Sequence, residues 1–211
     1  MLGCWGSDIL KEIENKILNN DKITEQELEL FLKYIIDSVD EIVNHSTYEN
    51  QCDLVQGLIG RYLQKLNVTI YPCITNKCIA SNVIGHSFLV ADFKENGLYL
   101  IDPSFIQFLY LDHTYEELYI KHIRIKSKSP FYYAKEINPK LLLSFLQKGF
   151  MKLNEESAFL YGNSFYRTLN SIDDQFVFKD ISGKDLINQF LKGDELLRKY
   201  EYPEIELNKN K

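Results

Sequence analysis

Three residues of the types that thiol hydrolases use occur along the chain in the order Cys52, His86 and Asp102. In such enzymes a thiolate attacks a carbonyl carbon and an imidazole moves the proton. A carboxylate on the second ring nitrogen fixes the orientation of the imidazole. Each residue alone is more typical of core packing, a buried histidine or a turn cap. The three together, in the settings described next, predict a catalytic triad.

The local sequence around each residue suits its role. Cys52 opens a helix-like run, CDLVQGLIGRYLQKL, and the unpaired N–H groups of a helix N-terminus favour a thiolate. His86 lies in the strand-like run VIGHSFLVADF, and Asp102 ends the next strand, GLYLIDPSFIQF. A turn at Lys94–Gly97 would join these strands and place His86 beside Asp102. A helix packed across the hairpin would bring Cys52 to the imidazole.

Amide groups near the thiol are candidates for stabilising the oxyanion that develops on an attacked carbonyl. The backbone N–H of Cys52 is one natural donor, and a side-chain amide is expected to supply another. The amides available are those of Asn50, Gln51 and Gln107. Asp53 is interpreted as a charge in the first turn of the helix rather than as an acid catalyst.

The other cysteine and histidine residues are weaker candidates for a metal site or for catalysis. Cys73 and Cys78 have a spacing that zinc sites use, but no second pair of Cys or His follows at a suitable distance. His45, His113 and His122 lie in polar segments typical of the protein surface. The sequence therefore predicts neither a metal ion nor a cofactor.

The elements that must hold the triad are helical, then strand-like, then helical. Residues 8–19 have one apolar helical face, and Thr24–Glu27 has the form of a capping box before an amphipathic run to about residue 43. Strands are predicted at 68–73, 83–93 and 98–102, with a further strand at 119–127. Helices are predicted after Asn138, at 139–148, 154–168 and 183–200. This order indicates the α+β class with a small antiparallel sheet.

The length and composition of the chain indicate its number of domains, its class of partner and its cellular location. A chain of 211 residues with 45% hydrophobic and 26% charged residues suits one domain: N-terminal helices 1–49, a catalytic core 50–127, C-terminal helices 128–200 and a tail. The net charge of −6 argues against nucleic acid as a partner. The sequence shows neither an apolar run long enough to span a bilayer nor a secretory signal. We expect reduced cysteines and a cytoplasmic location, with export as an effector left open.

A helix led by Cys, a strand with Gly-His-Ser-Phe-x-Val and then Leu-Ile-Asp-Pro-Ser-Phe-x-Gln-Phe together resemble the papain/transglutaminase-like superfamily. Within it, the pattern is most similar to the papain-fold toxin and effector deamidases, such as the catalytic domain of the Pasteurella dermonecrotic-type toxin. The resemblance covers roughly residues 50–108. It implies a papain-like core, Cys52 as nucleophile, His86 as base, Asp102 as orienting acid and Gln107 as a site-supporting residue.

The same resemblance implies a thioester intermediate and leaves the acceptor open. The favoured interpretation is a protein-glutamine deamidase acting on a protein or peptide substrate, and a cysteine protease or a transglutaminase-like enzyme is the alternative. A small-molecule acyltransferase similar to the arylamine N-acetyltransferases is disfavoured, because their Arg-Gly-Gly motif before the Cys is absent. A different class of function is an inactive binding module whose aromatic residues form a partner groove; the candidates are Phe105, Phe108, Tyr110, Tyr115 and Tyr119.

Overall fold

Two amphipathic helices begin the fold in the computed structural model. The structure describes residues 5–43, 51–74, 86–105, 117–120, 123–126, 139–161 and 182–192. Helix α1 spans Trp5–Asn19 and α2 spans Glu25–Ile42. Thr24 caps α2 through the predicted capping box, in which Glu27 is the reciprocal partner. Helix α2 buries one face through residues spaced three and four apart, and both predicted N-terminal helices are confirmed.

Helix α3, Cys52–Lys65, lies at the centre of the described structure. Its buried side chains include Val55, Ile59 and Leu63, which recur at helical spacing. The helix packs against α2 on one side and against the first two strands of a sheet on the other. Cys52 is its first residue, as the sequence indicated.

The main sheet has four antiparallel strands, and its order is β1-β2-β3 followed by β6, Phe150–Lys152. Strands β1, β2 and β3 are Thr69–Ile74, Ser87–Asp92 and Leu98–Ile101. Strands β2 and β3 form the predicted hairpin, with a short 3-10 turn, Lys94–Asn96, between them. The hairpin register pairs Leu89 with Ile101, so the start of β2 lies beside the end of β3.

Helices cover both faces of this sheet. Successive side chains of a strand point to opposite faces, and on β2 Leu89 packs towards Gly60 of α3. The neighbouring Phe88 instead packs on the rings of Tyr161 and Phe190. These rings belong to residues 155–161 (α5) and to α6, Gly183–Lys192. Burial on both faces explains why β2 is a continuous apolar run rather than an alternating one.

The strands predicted from the sequence differ from the observed strands in two respects. The single strand predicted at 119–127 is wrong: β4, Glu117–Ile120, and β5, Ile123–Lys126, are two strands paired as a separate antiparallel sheet. Strand β6, Phe150–Lys152, was not predicted, although it completes the main sheet beside β3. Three residues are too few for an alternating pattern to be recognised, so β6 is defined by its partner strand.

The C-terminal helices agree with the sequence where they are described. Helix α4, Pro139–Lys148, has the predicted bounds. Residues 155–161 and Gly183–Lys192 are helical at the start of the two remaining predicted helices, and the rest of those segments lies outside the described residues. The observed class is α+β. Among the described residues, no helix combines the length and apolar character needed to cross a membrane.

Candidate active site

A buried imidazole–carboxylate pair lies where the two central strands of the sheet, β2 and β3, meet at one end. His86 immediately precedes β2 and Asp102 immediately follows β3, so the β2–β3 hairpin brings the two residues together. The Nε2 atom of His86 is 2.7 Å from Oδ2 of Asp102. The two side chains are only 3% and 0% exposed, respectively. The adjacency predicted from the sequence is therefore present, and water is excluded from the pair.

The Asp102 carboxylate is held on both of its oxygen atoms. The Ser104 hydroxyl donates to Oδ1 at 2.8 Å, and the Tyr161 hydroxyl donates to Oδ2, also at 2.8 Å. The backbone N–H of Asp102 donates to the carbonyl oxygen of Gly149 at 2.8 Å. A buried charge is costly unless it is paired and hydrogen-bonded, and these contacts meet that requirement.

The Cys52 thiol completes the arrangement from the side of α3. The Cys52 side chain lies near enough to His86 to raise the pKa of the imidazole through hydrogen bonding and charge. Cys52 is half-buried rather than sealed. A sealed thiol would have favoured a binding module, so its exposure supports an accessible nucleophile.

The electrostatics of the site favour a protonated imidazole. Burial alone would lower the pKa of His86. The charge and hydrogen bond of Asp102, followed by the hydrogen bond and charge of Cys52, outweigh burial and raise the pKa of His86 to about 9. At neutral pH the site therefore holds an imidazolium between a carboxylate and a sulfur atom.

The N-terminus of α3 presents donors beside the sulfur. The first backbone bond of the helix runs from Val55 N to the Gln51 carbonyl oxygen. The N–H groups of Cys52, Asp53 and Leu54 therefore have no acceptor within the helix. The Gln51 side chain does not cap the helix, and its buried Oε1 has no hydrogen-bond partner among the described residues. The three backbone N–H groups are the nearest described donors that could bind an oxyanion.

Two further contacts tie the nucleophile's helix to the strand of the base. Asp53, which follows Cys52, accepts a hydrogen bond from the hydroxyl of Ser87, which follows His86. One turn after Cys52, Gln56 donates to the carbonyl oxygen of Phe88 at 2.6 Å. The interpretation of Asp53 as only a helix-terminal charge was therefore incomplete, because its carboxylate also links α3 to β2.

The remaining predicted support residues are not placed. Asn50 and Gln107 lie outside the described residues, as do Phe108, Tyr110 and Tyr115 of the suggested partner groove. Tyr119 is in β4, and nothing is described of its side chain. Phe105 is 1% exposed and packs in the core on Phe145 and Tyr161, so its proposed place in an open groove is wrong.

Sequence reasoning missed several residues that the fold brings to the site. Ser104 had a detectable signal, since it follows Asp102 by two residues in an Asp-Pro-Ser turn. Tyr161 and Gln56 had none, because each acts through a partner far away in the sequence. Long-range contacts of this kind are not encoded in local periodicity.

The possible zinc pair has no support among the described residues. They contain no cluster of three or more Cys, His, Asp or Glu side chains that could hold a metal ion. The Cys73 thiol is buried against the carbonyl oxygen of Phe190, and burial raises the pKa of this thiol far above its ordinary value. Cys78 lies outside the described residues. Cys73 therefore behaves as a packing residue.

Comparisons of this chain were made with protein-family models, with curated proteins and with solved structures. None of the three found a match. The resemblance to the papain/transglutaminase-like superfamily therefore stays a prediction.

Proposed function

We propose that this chain is a cysteine hydrolase or acyltransferase that works through Cys52, His86 and Asp102. The observation that carries the proposal is the buried His86–Asp102 pair, 2.7 Å apart, beside the partly buried Cys52 at a helix N-terminus. Each component raises the population of a thiolate–imidazolium pair. Structural packing alone gives no reason to bury an imidazole and a carboxylate beside an accessible sulfur.

The proposed reaction begins when the Cys52 thiolate attacks an amide carbonyl carbon. The oxyanion that forms is stabilised by N–H groups at the start of α3. His86 delivers its proton to the leaving nitrogen, the carbon–nitrogen bond breaks, and a thioester on Cys52 remains. In hydrolysis, neutral His86 then removes a proton from water, the resulting hydroxide attacks the thioester, and the carbon–sulfur bond breaks. Cys52 leaves as a thiolate and His86 keeps the proton.

The arrangement of elements supports a papain/transglutaminase-like core as part of the proposal. A helix that begins with the nucleophile packs on an antiparallel sheet, and a hairpin of that sheet carries the base and the orienting acid. The chain order Cys, His, Asp and the sequence motifs point the same way. We propose glutamine deamidation of a protein or peptide as the subtype on the motif resemblance alone. The catalytic thiol needs a reducing compartment, and the cytoplasm provides one.

The first test measures the reactivity of Cys52 at pH 6 with iodoacetamide, followed by mass spectrometry of the cysteine peptides. We expect Cys52 to be alkylated at least about a hundredfold faster than Cys73, which is a buried thiol with a raised pKa in the same molecule. His86→Ala should slow the alkylation of Cys52 at least about tenfold relative to the wild type, and Cys52→Ala should remove the label. Equal labelling of Cys52 in the wild type and in His86→Ala would refute the proposed triad.

The second test determines the class of acyl acceptor. Candidate substrate proteins are incubated with the wild type or with Cys52→Ala, and their intact masses are compared. Hydrolysis of a glutamine amide adds about one dalton, transamidation gives a cross-linked species, and proteolysis gives fragments. A cross-linked or fragmented product would contradict the deamidase subtype and leave the Cys52 chemistry in place.

A further inference from the structure

The Asp102 carboxylate accepts more hydrogen bonds than the orientation of an imidazole requires. His86 and the Tyr161 hydroxyl share its Oδ2, at 2.7 and 2.8 Å, and the Ser104 hydroxyl occupies Oδ1 at 2.8 Å. Each donor competes with His86 for the same negative charge. The hydroxyl groups therefore reduce the charge density available to hold the imidazole proton.

The position of Tyr161 is fixed by a cluster of rings from four parts of the fold. Its ring centroid is 4.9 Å from that of Phe88 in β2, 5.3 Å from Phe105, 5.7 Å from Phe145 in α4 and 6.1 Å from Phe190 in α6. The side chain is 2% exposed. Because packing holds the ring, the hydroxyl reaches Asp102 without losing further side-chain freedom.

We propose that Tyr161 and Ser104 are positioning residues that draw charge from Asp102 and so moderate its hold on the His86 proton. The inference rests on the proposed function, in which His86 must first keep this proton beside the thiolate and then release it to the leaving nitrogen. A carboxylate with His86 as its only donor would retain the proton too strongly for the release step. The residues act through Asp102 and His86 and do not contact the substrate.

Among the described residues, the titratable side chains of Cys52, Asp102 and Tyr161 act on His86. Cys52 of α3 and Asp102, at the end of β3, act on the imidazole directly, and Tyr161 of α5 acts through Asp102. Asp53 of α3 faces the neighbouring Ser87. Removing the Tyr161 or the Ser104 hydroxyl leaves the formal charge of the site unchanged.

The test compares the titration midpoint of the His86 imidazole, measured by NMR of nitrogen-15-labelled protein, with His86→Gln used for assignment. Tyr161→Phe keeps the packed ring and removes only the hydroxyl. We expect the His86 titration midpoint of this variant to rise by about half to one pH unit. The reason is that a carboxylate that accepts one hydrogen bond fewer stabilises the protonated imidazole more strongly. Ser104→Ala should raise the midpoint in the same direction, and it carries the test if Tyr161→Phe does not fold.

The control variant is Tyr99→Phe. Tyr99 is buried in β3, three residues before Asp102, and its hydroxyl has no hydrogen-bond partner in the part of the chain that the structure describes. This variant removes a buried tyrosine hydroxyl from the same region and should leave the His86 midpoint unchanged. An unchanged or lowered midpoint in both Tyr161→Phe and Ser104→Ala would overturn the inference.

A second readout separates this inference from the proposed function. The rate of Cys52 alkylation by iodoacetamide should have an alkaline limb that moves with the His86 midpoint in the same variants. If wild-type Cys52 reacts no faster than Cys73, the proposed function fails, and the NMR midpoints still test the effect of the hydroxyls. If Cys52 is reactive but its alkaline limb in Tyr161→Phe and Ser104→Ala matches that of Tyr99→Phe, only the inference about the hydroxyls fails.

Discussion

The charge of a single residue, Asp102, makes the largest contribution to keeping the imidazole of His86 protonated. Its carboxylate is 0% exposed and lies 2.7 Å from the imidazole of His86. In so dry an environment a neutral imidazole would be preferred without this charge, since burial acts to lower the pKa of His86. The carboxylate reverses that preference, and the ordinary description of Asp102 as an orienting group is therefore incomplete.

Asp102→Asn should therefore change the chemistry more than the fold. Asparagine has the same shape but no charge, so the pKa of His86 should fall from about 9 towards or below its ordinary value of 6.5. The thiolate then loses its counter-charge, and turnover should drop by roughly 10⁴, as in other triads. NMR titration of His86 and iodoacetamide labelling at pH 6 measure both effects. A His86 midpoint that stays near 9 would show that another group supplies the field.

The same pKa shift makes the stability of the protein depend on pH. The folded-state pKa of His86 is raised above the unfolded value, so its stabilising contribution is complete below about pH 6.5. It is lost as pH rises through about 9. The contribution amounts to about 3 kcal/mol at low pH. Urea unfolding of the wild type and of His86→Gln at pH 6 and pH 9.5 should show their difference shrinking, and a constant difference would contradict this assignment.

At the scale of elements, α3 and the β2–β3 hairpin must keep a fixed relation for sulfur and imidazole to meet. The hydrogen bond from Ser87 to Asp53 joins the two elements within one residue of both catalytic groups. Gln56 joins them again one helical turn further on. These bonds are specific in direction, whereas apolar packing alone would tolerate sliding of the helix along the sheet.

Asp53→Ala and Asp53→Asn separate this link from the effect of a charge at the helix terminus. Asparagine loses the charge but keeps an oxygen that accepts from Ser87, whereas alanine loses both. We expect Asp53→Ala to slow Cys52 alkylation by about tenfold and to lower the free energy of unfolding by about 1 kcal/mol. Asp53→Asn should retain most of the reactivity. Equal loss in the two variants would indicate that only the helix-terminal charge matters.

The sequence predicted the features that depend on neighbouring residues and missed those that depend on contacts between distant residues. The capping box at Thr24, the helix led by Cys52 and the turn between β2 and β3 follow from neighbouring residues, and all three are observed. The partner of Asp102 at Tyr161 is 59 positions away and is defined by packing of the C-terminal helices. Strand β6 likewise exists only because β3 offers it a partner.

At the scale of the whole molecule, the site depends on parts of the chain far beyond its triad. The sheet lies between α3 on one face and the rings of Tyr161 and Phe190 on the other. The C-terminal helices therefore do more than close the core, because Tyr161 reaches the triad carboxylate. The end of α4, the first of these helices, also lies near Asp102, because the carbonyl oxygen of Gly149 accepts a hydrogen bond from the backbone N–H of Asp102.

Gly149 is the position at which a single methyl group should test this coupling. Its φ of +76° favours glycine, and a Cβ there would lie 2.8 Å from Cβ of Pro103 and 3.3 Å from Ile36 of α2. Gly149→Ala should therefore displace the segment that carries Asp102. Gly97→Ala is the control, because Gly97 has a similar φ of +86° but its Cβ would meet only Lys152, at 3.8 Å.

Both glycine variants incur a backbone cost at a positive φ, and for Gly97, whose ψ is −167°, this cost is roughly 1–3 kcal/mol. Gly149→Ala adds a steric cost that Gly97→Ala lacks, so it should lose more unfolding free energy in urea than its backbone cost alone explains. The pKa of His86 should also fall in Gly149→Ala and remain near 9 in Gly97→Ala, because only the first displaces the carboxylate. Equal losses and unchanged His86 titrations in both variants would mean that the α4–β6 junction is not coupled to the triad.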